Sequence, residues 1–311
     1  MKKRIAAFAL ALAMTGGAAA ASATTVGICQ FVQHEALDAA TQGFKDALTE
    51  KIPDIRFDEQ NASGDAVNCV TITSMFAAAG VDLILANATA PLQAAVSATG
   101  DIPILGTSIT DYATALGMES WMGTSGINVS GTSDLAPLDQ QAAMIKELFP
   151  EAKTVGLLYC SAEANSIYQV ETISGFFEEM GYTCERFAFA DSNDLASVTQ
   201  TAADECDVIY VPTDNTAAAY TETIANIVIP EGIPVVTGEE GTAKGCGVAT
   251  LTISYYDLGR RTGEMAAEIL ENGADVSTMP VEFAPTFVKK YNAQNAEALG
   301  IEIPADYTAI E

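Results

Sequence analysis

The feature that most constrains this chain is a repeat. Val81-Asp-Leu-Ile-Leu-Ala-Asn-Ala-Thr-Ala-Pro91 returns as Cys206-Asp-Val-Ile-Tyr-Val-Pro-Thr-Asp-Asn-Thr-Ala217, so that Asp82 answers Asp207 and Thr89 falls opposite Asp214. Thr25-Val-Gly-Ile-Cys-Gln-Phe31 pairs in the same way with Thr154-Val-Gly-Leu-Leu-Tyr-Cys160, and Ile102-Pro-Ile-Leu105 pairs with Ile233-Pro-Val-Val236. The offsets of 129, 125 and 131 residues are near enough constant to describe one unit used twice. Each unit alternates short β-rich runs with helical stretches, the pattern of a parallel sheet covered by helices on both faces.

The expected fold class is therefore α/β, with two doubly wound parallel-sheet lobes joined by a three-segment hinge. Lobe 1 is expected over residues 24–133 plus 254–280, and lobe 2 over 134–253 plus 281–311. Val281 to Lys289 reads as one strand of the tail. Ligands of such sheets sit beyond the carboxyl ends of the strands, where loops and helix starts converge. Two such edges facing one another would enclose a cleft, and three crossings would let it open and close.

Length and hydrophobicity fit this plan, since 311 residues at 49% hydrophobic suffice for two cores. Residues 1–23 have a basic start (Lys2, Lys3, Arg4), an apolar run from Ile5 to Met14 and small residues ending at Ala23. That layout predicts a cleaved export signal and a periplasmic protein. The first cysteine, Cys29, follows Thr-Val-Gly-Ile in a strand context and offers no lipid-attachment box. A formal net charge of −27 argues against nucleic acid or anionic lipid as a partner. A monomer is expected.

Six cysteines in an oxidising compartment could form bridges, and Cys184 with Cys206, both near strand starts, is the best candidate pair. None has the close paired spacing of a zinc site. His34 is the only histidine, too few for a nucleophile triad, and no phosphate-binding glycine loop or metal cluster appears. An enzyme is not expected, nor is a cofactor.

The candidate site residues lie where strands give way to helices. After the first strand stand Gln30, Phe31 and His34, and the next exit loop, Gln60 to Asp65, offers Ser63 or Asp65 as a helix cap. Thr89, Ala90 and Pro91 open a helix whose free N–H groups suit an anion. Thr107 lies on another polar rim, and Asp134 at the first crossing. In the second unit Tyr159 ends a strand, Asn165 or Ser166 is a cap or a ligand contact, and Asp214 and Asn215 follow the repeated motif. Glu239 and Glu240 sit on a later turn, and the single Trp121 reads as a loop anchor.

The runs Gly27-Ile-Cys-Gln-Phe-Val-Gln-His34, Ser161-Ala-Glu-Ala-Asn-Ser166, Tyr210-Val-Pro-Thr-Asp-Asn215 and Gly263-Glu-Met-Ala-Ala-Glu-Ile-Leu270 together resemble the tryptophan/tyrosine-type substrate-binding proteins of ABC transporters, of the type I periplasmic-binding fold. The resemblance covers essentially the whole chain after residue 23. It departs from the family pattern at Glu35, where proline is common, and at Gly241, where an acid is expected. What it implies is a two-lobed protein that closes on an amino acid, often aromatic, and delivers it to a membrane permease. The alternative is a periplasmic subunit that presents the ligand to a signalling receptor.

A zwitterion needs an anion site and a cation site close together. On this reading Thr89, Asn165 and Ser166 take the ligand carboxylate, Asp214 its ammonium with Glu240 in support, and Phe31 and Tyr159 flank an apolar or aromatic side chain.

Overall fold

The computed structural model describes residues 23–119 and 121–311. The expected export segment lies outside the described residues except for Ala23. The first half runs β1 (Thr25–Gln30), α1 (Glu35–Lys51), β2 (Arg56–Asn61), α2 (Ala66–Ala79), β3 (Leu83–Asn87), α3 (Thr89–Ala98), β4 (Ile104–Ile109), α4 (Tyr112–Leu116) and β5 (Val129–Ser133). Next come α5 (Leu138–Leu148), β6 (Thr154–Cys160), α6 (Ala164–Glu179), β7 (Thr183–Phe189), α7 (Leu195–Glu205), β8 (Val208–Val211), α8 (Asn215–Ala219), α9 (Thr221–Glu231), β9 (Val235–Thr237), α10 (Glu240–Gly245) and β10 (Ala249–Thr252). The chain ends with α11 (Tyr255–Asn272), β11 (Glu282–Phe283), β12 (Val288–Tyr291), α12 (Ala293–Leu299) and β13 (Thr308–Ala309).

Two sheets result, ordered β2-β1-β3-β4-β5-β11 and β7-β6-β8-β9-β10-β12-β13. The pairs are parallel except β10 with β12. Both sheets are apolar on both faces, as parallel sheets must be. In the first, Ile84 and Ala86 pack under Phe76 and Leu92, while Val26, Leu83 and Leu85 pack under Phe44 and Met265. In the second, Val155, Leu157 and Tyr210 face Phe177, while Leu158, Ile209 and Val211 face Phe189 and Val228.

The repeat is visible in hydrogen bonds. Asp82 Oδ2 accepts from Thr25 N at 2.7 Å, and Asp207 Oδ2 accepts from Thr154 N at 2.9 Å, each carboxylate tying its lobe's first strand to its third. Three segments cross between the lobes: 134–137 into α5, 253–254 into α11, and 284–287 between β11 and β12. α11 returns to the first lobe and lies directly on α1, an approach that only glycine allows. A Cβ on Gly259 would sit 1.9 Å from Ala40 O, and one on Gly43 would sit 2.1 Å from Tyr256 O.

Two expectations change. The tail strand is two: β11 belongs to the first sheet and β12 to the second, because Pro285 lacks the N–H a continuous ladder would need. The Cys184–Cys206 pair does not form, and all six thiols are free. Cys184 packs with the cluster around Phe177 and Cys206 with the cluster around Phe189, on opposite faces of the second sheet. Trp121 is an anchor as expected, stacked on Tyr112 with ring centroids 6.0 Å apart.

Candidate functional site

The carboxyl edges of the two sheets meet across a cleft of about 430 Å³. That lies within the ~300–1,000 Å³ usual for small-molecule sites. The first lobe contributes Phe31 and Val32 after β1, Ser63 to Ala66 after β2, and Thr89, Ala90 and Gln93 at α3. The second contributes Cys160 and Ala162 to Asn165 at the end of β6 and the start of α6, Ala190 to Ser192 after β7, and Asn215, Thr216, Ala219 and Tyr220 after β8.

The two walls differ in charge. On the first, α3 starts without a side-chain cap, because the preceding residue is Ala88. Ala88 holds φ at 101° and ψ at 167°, a region almost confined to glycine, and the turn aims the helix start into the cleft. Pro91 has no N–H, so the groups presented at this positive pole are the N–H of Thr89 and Ala90 and the Thr89 hydroxyl.

On the second wall the dominant group is Glu163, the N-cap residue of α6, only 6% exposed. Its carboxylate accepts from Asn215 N (3.0 Å), Asn215 Nδ2 (2.6 Å), Thr216 N (2.8 Å) and Thr216 Oγ1 (2.8 Å). Asn165 Nδ2 adds a longer bond at 3.2 Å. The carboxyl group is thereby held in one orientation at the cleft surface. Because Asn215 Nδ2 is given to Glu163, its Oδ1 accepts, and His34 Nε2 reaches it from the other lobe at 3.2 Å. Lys244 and Glu35 make a second bridge between the lobes at 3.3 Å.

Five of the expected residues line this cleft: Phe31, Thr89, Ala90, Asn165 and Asn215. Asp214 is turned inward instead. It is 1% exposed, and its two oxygens accept from Cys160 N (2.7 Å) and Ala217 N (2.8 Å), joining β6 to the start of α8. Burial, reinforced by the Glu163 charge, pushes its carboxyl up to about 7. Ser166 is fully buried, receiving a bond from Asn165 Nδ2 at 3.3 Å. Tyr159 points to the Phe177 face of its strand, away from the cleft.

Gln30 accepts from Thr41 Oγ1 and donates to Asp38, fastening β1 to α1. Thr107 lies in a buried hydroxyl row with Thr132 and Thr262. Asp134 is buried in the first crossing, where Tyr255 donates to it at 2.9 Å. Glu240 pairs with Lys290 at 2.7 Å beside a separate cavity of about 290 Å³ near the hinge.

Sequence reasoning missed Glu163, Asp191, Thr216 and Tyr220. Glu163 stood inside Ser161-Ala-Glu-Ala-Asn-Ser166, and an acid directly before a helix was its signal. Among the described residues Tyr220 is the only aromatic one that the second lobe brings to the cleft, and it is 46% exposed.

The fold and cleft define a two-lobed binding protein. Residues 25–309 match the ABC transporter substrate binding protein family, and the chain belongs to it. It is thus a solute-binding protein of an ABC transporter, acting outside the cytoplasm, and not an enzyme. A tyrosine-binding protein from Clostridioides difficile strain R20291 is 35% identical over 260 residues, covering 82% of this chain and 75% of that one. A Streptococcus pneumonia ABC domain in complex with L-Trp is 34% identical with a TM-score of 0.88, covering 93% of this chain and 100% of that one.

A ligand-free, open substrate-binding protein with adhesive properties from Clostridium difficile is 36% identical, covering 93% of this chain and 99% of that one, with a TM-score of 0.70. At nearly equal identity the present structure follows the liganded relative and not the open one. The lobes here are closed, in agreement with the bridges at His34 and Lys244.

Proposed function

We propose that this protein captures an aromatic amino acid, tyrosine or tryptophan, from the periplasm and delivers it to an ABC permease. The observation that carries the reading is the opposite polarity of the cleft walls, bare helix N–H groups on one and a fixed carboxylate on the other. The ligand carboxylate sits at Thr89 N, Ala90 N and the Thr89 hydroxyl. Its ammonium faces Glu163, whose charge is neutralised on binding, with Asp191 beside it on the rim. Phe31 from one lobe and Tyr220 from the other enclose the aromatic ring, a better-placed pair than Phe31 with Tyr159.

The tyrosine and L-Trp relatives support the ligand class. Residues 1–23 serve as the cleaved export signal in this reading, and the mature chain acts as a monomer.

Thermal denaturation of the purified mature protein with each common amino acid tests the proposal. A ligand at a hundredfold excess over Kd adds about 2.7 kcal/mol to stability. Tyrosine or tryptophan should raise Tm by several degrees and aliphatic amino acids far less. Unchanged Tm with every aromatic amino acid would refute the ligand class.

A further inference from the structure

The hinge contains a carboxyl group that the binding of a zwitterion does not use. Asp134 begins the first crossing, is 4% exposed, and its Oδ1 has no hydrogen-bond partner. Its Oδ2 accepts from Tyr255, which begins α11 directly after the second crossing. The other titratable groups facing it are Tyr112 of α4, from the first lobe, and Glu239 of the β9–α10 turn, from the second. Glu239 is itself 1% exposed and spends its oxygens on Gly241 N, Thr242 N and the Thr242 hydroxyl. Among the described residues no lysine, arginine or histidine pairs with either carboxylate.

In this closed form two buried acids, one at the first crossing and one on the second lobe, share the hinge region with no basic partner on either among the described residues. We propose that closure is coupled to uptake of one proton on Asp134, so that this protein binds its ligand together with a proton and releases both when it opens. The protonated carboxyl can remain buried without the cost of an unpaired charge and without opposing Glu239.

The direction follows from burial. In the closed form burial, opposed by the Tyr255 hydroxyl and reinforced by Glu239, pushes the Asp134 carboxyl from 3.8 up to about 6. Once opened and hydrated it returns toward the ordinary value. A group that is easier to protonate closed than open favours closure below the raised value and loses that contribution as pH rises through it. Ligand affinity should therefore be about tenfold higher near pH ~5 than near pH ~7.5, and level off below pH ~4.

Titration calorimetry in buffers of different ionisation enthalpy reads the proton directly. Wild type should take up roughly 0.7 proton per ligand near pH ~5.5 and almost none near pH ~7.5. Asp134→Asn, the neutral isostere, should abolish the uptake near pH ~5.5, where the Asp214 carboxyl, raised to about 7, keeps its proton. Tyr255→Phe removes a bond that favours the ionised form, and should move the transition to higher pH.

The proposal rests on the lobes opening and closing around a ligand, and not on which ligand it is. Small-angle scattering of the ligand-free protein separates the two questions: wild type should be more compact near pH ~5 than near pH ~7.5, and Asp134→Asn should not change. Unaltered proton uptake in Asp134→Asn would overturn the proposal. So would loss of binding by that variant at every pH, which would make Asp134 a direct partner of the ligand.

Discussion

The two lobes are copies in their strands and opposites at their loops. Asp82 and Asp207 make the same bond to the first strand of each lobe. Gly27 lies against Phe76 as Gly156 lies against Cys206, each leaving no room for a side chain on that strand. At the helix starts the likeness ends. Thr89 begins a helix without a side-chain cap behind a strained alanine, whereas Asp214, at the matching place, caps its helix with a buried carboxylate. Glu163 adds a second buried acid beside it.

The difference teaches how a duplicated unit acquires a binding site. Scaffold positions keep their chemistry, and junction positions diverge; on the proposed assignment each wall then recognises one charge of the ligand. On that assignment neither wall alone would hold a zwitterion, and a ligand that satisfies both would draw the lobes together, which is population shift by differential contact.

The sharpest way to break the comparison is to remove the cap from one wall. Asp214→Ala leaves Cys160 N and Ala217 N without their acceptor, and should cost about 2 kcal/mol in urea unfolding. Because Asp214 faces inward, affinity of the folded variant should change by less than about threefold. Loss of binding with full stability would return Asp214 to the ligand and undo the assignment of roles.

A smaller effect is expected on the other wall. Ala88→Gly relieves a backbone strain of about 1–3 kcal/mol and loses one buried methyl worth about 0.8 kcal/mol. With about 0.7 kcal/mol lost to the freedom of glycine in the unfolded chain, the variant should be about 0.5 kcal/mol more stable by urea unfolding. A loss of stability would mean that the turn at Ala88 is not strained, and that the aim of α3 has another cause.

The repeat and its alternation made the two lobes, the parallel sheets and the cleft at their carboxyl edges legible in the sequence. The orientation of individual acids was not. Asn165 or Ser166 was the expected cap of α6, but the cap position is Glu163, and at ~100° per residue a shift of two or three residues exchanges rim for interior. Asp214 and Asn215 are neighbours, yet one turns into the lobe and the other into the cleft. The Cys184–Cys206 expectation failed for a related reason, since proximity to the same sheet edge does not say which face a side chain occupies. The break at Pro285 was readable, because proline rarely sits inside a central strand.

The central claim is that lobe 1 holds the carboxylate of the ligand and lobe 2 its ammonium. The most direct test is calorimetry of tyrosine or tryptophan beside analogues lacking either the amino or the carboxyl group, with wild type and Glu163→Gln. Both analogues should bind wild type at least about a hundredfold more weakly than the parent amino acid, since each leaves a buried charge or helix pole unpaired. In Glu163→Gln the penalty for omitting the amino group should largely vanish, while the penalty for omitting the carboxyl group should persist. Equal penalties in both proteins, or tight binding of the amine-free analogue by wild type, would contradict the account.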